Sequence, residues 1–421
     1  MRQTGASLAA CALALAGAAA TTAAGPAPAP ASRPAAGSQA YTLAQATSDA
    51  AQLNTIAFDG LAFLTGSFQA DTFLPPGKIA DYFGFQDMRD VQPQGAGHNT
   101  DFLTRASNNV IAVLDTAQRA QLVALAEKQV AEVRDLALQR FTVISAFRRL
   151  LAGKAPAGSA GLSSTAVQQA VARIFALDGR IAWERALAYG SVIRSLSAAQ
   201  QAKLAPLAFG DASTWPVIPE PIDKRTMSHD ANVLVMSYGG DLLSWLKGSL
   251  DADVYFCPER HATYFGSFFL KDAPAMGQAD FAISTSLTGD SGAAFLAALT
   301  PAQRARITSI VGTQRAALAQ IVQARRAIST ELRRLQTTAS ADQTLVLAQS
   351  ERYGRLDGQL AALYATRFAE VGRSLTPAQR ATLVRLRNLA TVPAKPFLYS
   401  DPVEMPEIGS TDGLFARRAA A

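Results

Sequence analysis

Between Gln118 and Leu151 apolar side chains fall at Val130, Val133, Ala137, Phe141, Ile144, Phe147 and Leu151. Steps of three and four place them on one stripe of a helix, with polar and charged residues filling the other faces. The same rhythm returns at Ile310, Ala317, Ile321, Ile328, Leu332 and Leu335. Turn-forming stretches at 153–164 (Gly/Ser-rich) and 337–342 (Thr/Ser-rich) end these two helices, and a second long helical pattern follows each. The pattern predicts an all-α protein built on two helical hairpins flanked by shorter helices. Segments 71–101 and 253–281 carry Pro, Gly and aromatic residues without either period, and are expected to be long ordered loops packed by their own side chains.

The two hairpins are related in sequence. Residues 71–90 lie over 253–272 at a constant offset of 182: Asp71 over Asp253, Tyr82-Phe83-Gly84 over Tyr264-Phe265-Gly266, and Asp90 over Asp272. Residues 114–122 likewise match 299–307, and 177–200 match 356–379. Agreement over so many blocks predicts an internal duplication with two similar lobes, repeat 1 at 45–208 and repeat 2 at 228–390. The proline-rich stretch within 209–227 is the expected linker, and 391–421 a C-terminal tail.

Charge and composition narrow the setting. The chain is 49% hydrophobic and 17% charged, which excludes disorder throughout, and its net charge of +6 is spread over scattered arginines rather than a basic cluster. A nucleic-acid partner is therefore not expected. Residues 1–24 have a positive start, a short Ala/Leu-rich core and Ala-x-Ala cleavage options, the pattern of a secretory signal peptide, followed by a Pro/Ala-rich leader at 25–44. The expected location is periplasmic or secreted. Cys11 has too little apolar sequence ahead of it for a lipid anchor, and no later run reaches the ~18 apolar residues of a spanning helix.

Four short boxes open helices: Leu114-Asp115-Thr116-Ala117-Gln118, Leu196-Ser197-Ala198-Ala199-Gln200, Leu299-Thr300-Pro301-Ala302-Gln303 and Leu375-Thr376-Pro377-Ala378-Gln379. Each reads as a capping box, with Asp, Ser or Thr at the N-cap and Gln at the third helical position reaching back. Pro301 and Pro377 sit where a missing N–H costs nothing. Two such boxes framing a helical hairpin, twice over, resemble the LTXXQ-motif periplasmic proteins of the Spy/CpxP type, over about 114–205 and 299–390. The resemblance implies a non-enzymatic helical protein, chaperone-like or tied to envelope stress, whose partners are unfolded or envelope proteins. It implies motif roles for Leu114, Gln118, Leu196, Gln200, Leu299, Thr300, Gln303, Leu375, Thr376 and Gln379. A tandem copy would resemble in one chain the dimer formed by that family.

No catalytic constellation is present, so no enzyme and no cofactor are expected. The duplicated Asp71, Tyr82, Asp90, Asp253, Tyr264 and Asp272, with His98 in the polar stretch at 97–101, are the candidates for ligand binding, calcium being compatible with paired loop carboxylates. Cys257 and His261, four residues apart, offer two ligands to a transition metal and support an alternative reading as a metal-binding or redox sensor protein. The first repeat has Pro75 and Ile79 in their place, so no complete metal site is expected. Gly289-Asp290-Ser291-Gly292 reads as a helix start rather than a nucleophile turn.

Overall fold

A computed structural model describes residues 43–66, 88–89, 100–207, 215–255, 274–275, 278–282, 291–387, 397–398, 401–402 and 406–418. These belong to a compact unit, Pro34–Ala421; Met1–Arg33 lie outside the described residues. The fold is all-α. Its helices are α1 (Leu43–Ala46), α2 (Asp49–Thr65), α3 (Thr100–Val113), α4 (Thr116–Leu151), α5 (Ser164–Ser195), α6 (Ala198–Leu204), α7 (His229–Lys247), α8 (Leu250–Tyr255), α9 (Ser291–Ala298), α10 (Pro301–Arg334), α11 (Gln343–Ser374) and α12 (Pro377–Arg387). Among the described residues no helix is long and apolar enough to cross a membrane.

The two predicted hairpins are α4–α5 and α10–α11. Asp115 and Thr300 cap α4 and α10, Ser163 and Asp342 cap α5 and α11, and the buried stripe of α4 includes Val133, Ala137, Phe141, Ile144 and Phe147 as the spacing required. At the turn after α4, Gly153 and Gly158 take positive φ, and the strand Ser159–Leu162 pairs antiparallel with Phe415–Arg417 of the C-terminal segment. Arg149 on α4 donates to the Asp412 carboxylate at 2.7 Å and to Thr411 Oγ1 at 2.8 Å, so the tail closes over this turn. Minor strand pairings join Met88–Arg89 to Phe397–Leu398, Phe397–Leu398 to Asp401–Pro402, and Pro274–Ala275 to Gln278–Ala282.

The broadest helix interface lies between α5 and α11, which run antiparallel. Small residues permit it. A Cβ on Gly354 would lie 2.8 Å from Ala172 Cα, and one on Gly358 would lie 2.8 Å from Gln168 Cα, so at both positions backbone meets backbone. Around this centre the shorter helices cross over. Helix α2, from the N-terminal half of the chain, packs on α9, α10, α11 and α12, whereas α7, from the C-terminal half, packs on α3 and α4. The linker is held down: Trp215 is buried, Pro216 O accepts from Asn109 Nδ2 at 2.9 Å, and Pro221 O accepts from Arg119 at 3.1 Å.

Candidate functional site

The four boxes meet in pairs. All four leucines, Leu114, Leu196, Leu299 and Leu375, are buried. In each box the Gln accepts from its own N-cap amide: Gln118 from Asp115, Gln200 from Ser197, Gln303 from Thr300 and Gln379 from Thr376, at 2.9 to 3.0 Å. The cap side chain accepts in return from the Gln amide. Beyond these caps, Gln200 Nε2 donates to Gln118 Oε1 at 2.7 Å and to Val113 O at 2.9 Å. Gln379 Nε2 donates to Gln303 Oε1 at 2.8 Å and to Ala298 O at 3.1 Å. Gln118 and Gln303 then donate to Ser195 Oγ and Ser374 Oγ at the ends of α5 and α11. Each pair of boxes is thus a polar clasp closing the open end of a hairpin.

Sequence reasoning missed the arginine that follows three of the glutamines. Arg119 Nε donates to Ile111 O at 3.0 Å and Arg304 Nε to Leu296 O at 2.9 Å, while Arg380 donates to Gly372 O. Each guanidinium caps the C-terminal carbonyls of the helix just before its box. The signal was present as Gln-Arg in the first, third and fourth boxes.

Two buried polar centres were also missed. In the first, Gln129 Oε1 accepts from Arg185 Nε at 3.0 Å and from Tyr238 Oη at 2.9 Å, and Tyr189 Oη donates to Asp241 at 3.0 Å. All five side chains are buried, and the Arg185 guanidinium also lies over the Tyr238 ring, 4.9 Å from its centroid. The second joins Gln314 to Gln52 at 2.9 Å and to Tyr364. Burial first, then the nearby Asp59 and Asp357 carboxylates, pushes the Tyr364 hydroxyl well above the ordinary tyrosine value. It stays a neutral donor. These centres sit on helix faces that are mostly apolar, and the polar residues interrupting those faces were the available signal.

Of the candidate ligand residues, Asp253 is described. It lies in α8, where its carboxylate forms a two-point ion pair with Arg333, and Arg325 donates to the carbonyls of Asp253 and Val254 at the end of the same helix. Burial raises the Asp253 carboxyl above its ordinary range, outweighing the pull of Arg333 and then Arg325. The ion pair joins α8 to α10. Asp71, Tyr82, Asp90, His98, Tyr264, Asp272, Cys257 and His261 lie outside the described residues, as does Cys11. Among the described residues no group of three or more His, Cys, Asp or Glu stands where it could hold a metal ion.

One open groove, about 730 Å³, runs along the outer face of α10 between α1 and α8. Leu43, Leu318, Ala319 and Val322 give it an apolar floor. Exposed ion pairs flank that floor, Arg315 with Asp49 and Arg326 with Asp251. Hydrogen bonding to Arg315 holds the Asp49 carboxyl below its ordinary range, so both partners are charged at neutral pH. The groove thus sets an apolar floor between charges of both signs. No family model matches the chain, and neither a curated protein nor a solved structure matches it.

Proposed function

We propose that this chain is an exported, non-enzymatic helical binding protein that shelters unfolded segments of other proteins, a tandem of two copies resembling the Spy/CpxP type. The observation that carries the reading is the open groove on α10, with its floor of Leu318, Ala319 and Val322 and its mixed-charge flanks. Such a surface gains from covering apolar side chains and is tolerant of sequence, as a protein that meets many unfolded chains requires. The boxes support the reading differently. Their side chains are spent on caps and clasps, so they set the spacing of the hairpins that carry the surface. The N-terminal sequence pattern supports export.

The test is light scattering of a reduced, unfolding client with and without the protein. Protection at stoichiometric amounts, lost on Ala319→Asp while the melting temperature is unchanged, supports the reading. Absence of protection by the parent protein contradicts it. Ala319 is exposed, so the charge enters the groove without entering the core.

A further inference from the structure

Resting on the groove as the client surface, we infer that it selects extended segments in which two charged residues stand five positions apart with apolar residues between them. Arg315 and Arg326 are eleven residues apart on α10, so the two ion pairs stand about 16 Å apart along the helix at 1.5 Å per residue. An extended chain rises about 3.3 Å per residue, and five steps cover that distance. The clients of the reading above are unfolded chains, and it is an extended segment of one that would follow the groove along α10.

The ends of the segment meet charge of both signs. Arg315–Asp49 and Arg326–Asp251 are exposed pairs, which exchange partners at little cost. An acidic residue of the client reaches an arginine and a basic one an aspartate, whichever end each occupies. Between the pairs Leu318, Ala319 and Val322 present apolar surface, with the exposed Gln323 and the half-buried Thr47 also lining the groove, so apolar client residues gain most by covering the three apolar side chains.

The experiment is fluorescence anisotropy with labelled peptides on the full-length protein. One peptide carries an acidic and a basic residue five positions apart around four apolar residues, a second reverses the two charges, and a third has serine in place of both. The first two should bind alike and at least ten-fold tighter than the third at low ionic strength. The advantage should vanish in about 1 M salt, where screening reaches ~3 Å, and in Arg315→Gln/Arg326→Gln, whose altered side chains are both exposed. Equal binding of all three peptides, lost in Ala319→Asp, overturns this inference and leaves the groove as the client surface. An advantage that survives Arg315→Gln/Arg326→Gln also overturns it. Failure of every peptide to bind, with no protection of clients, overturns both. Self-association of the protein that disappears in Ala319→Asp would place a second copy in the groove and overturn the inference.

Discussion

A glutamine at the third position of a helix ordinarily serves its own cap. Here Gln118 and Gln303 do so and also accept from the glutamine of a second box 82 and 76 residues away. Short spacing made the caps legible in the sequence, because a capping box is local. The clasp was not legible, since it depends on where two helix starts meet. Thr300→Ala should cost ~0.5 to 2 kcal/mol in a denaturant titration and alter client protection only through folding. If Gln303 and Gln379 act as one unit, a double-mutant cycle with alanine at both should return a coupling of about 0.5 to 3 kcal/mol. Additive losses would reduce them to separate caps. Asp253 shows a different limit of the sequence. Its alignment with Asp71 suggested a ligand role, and the sequence held no sign of the ion pair that α8 makes with Arg333. Because burial raises this carboxyl, the folded state holds its proton more tightly than the unfolded chain does. Its contribution to stability is therefore greatest below the ordinary carboxylate range and is lost as pH rises through the raised folded value. Asp253→Asn should flatten that part of the stability profile, while Arg333→Ala at neutral pH should cost about 3 kcal/mol by stranding a buried acid. A parent profile identical to that of Asp253→Asn would contradict the assignment.

At the scale of elements, periodicity placed both long hairpins because their stripes run for more than thirty residues, far beyond chance alternation. The short helix α8 escaped. Its six residues make less than two turns, and its stability comes from arginines of α10 that the local sequence does not contain. The contact between α5 and α11 was equally hidden, because a glycine in a helix looks like a weakness until a neighbouring backbone is known. Gly354→Ala should lower stability by about 1 to 3 kcal/mol through overpacking against Ala172, despite the better helix propensity of alanine. By contrast, Gly312→Ala, where a Cβ meets nothing within 4 Å, should stabilise by about 0.4 to 1 kcal/mol. Thermal melts of the two variants should move in opposite directions.

For the molecule as a whole, the repeat suggested two lobes each complete in itself, and the leading helices complicate that picture. Gln52 on α2 bonds Gln314 on α10, and Tyr238 on α7 bonds Gln129 on α4. Each leading helix reaches the hairpin that is distant from it in the repeat scheme, with a buried polar centre fixing its register. Sequence order cannot reveal such a crossing, because both arrangements bury the same stripes. Replacing Gln52 by Ala should therefore raise hydrogen exchange in α10 and α11 more than in α4 and α5. The opposite pattern would place the weakness in the first hairpin. The crossing also assembles the groove, since α1 supplies Leu43 to the floor and the start of α2 supplies Asp49 to one flank.

The central claim, that unfolded chains lie along this groove, is tested most directly by a photo-crosslinking residue placed at Ala319 and, as a control, at Thr313, an exposed position of α10 outside the groove. Irradiation with an unfolding client should give a crosslinked product from position 319 and little from 313. Equal capture at both positions, or capture from 313 alone, would contradict the account.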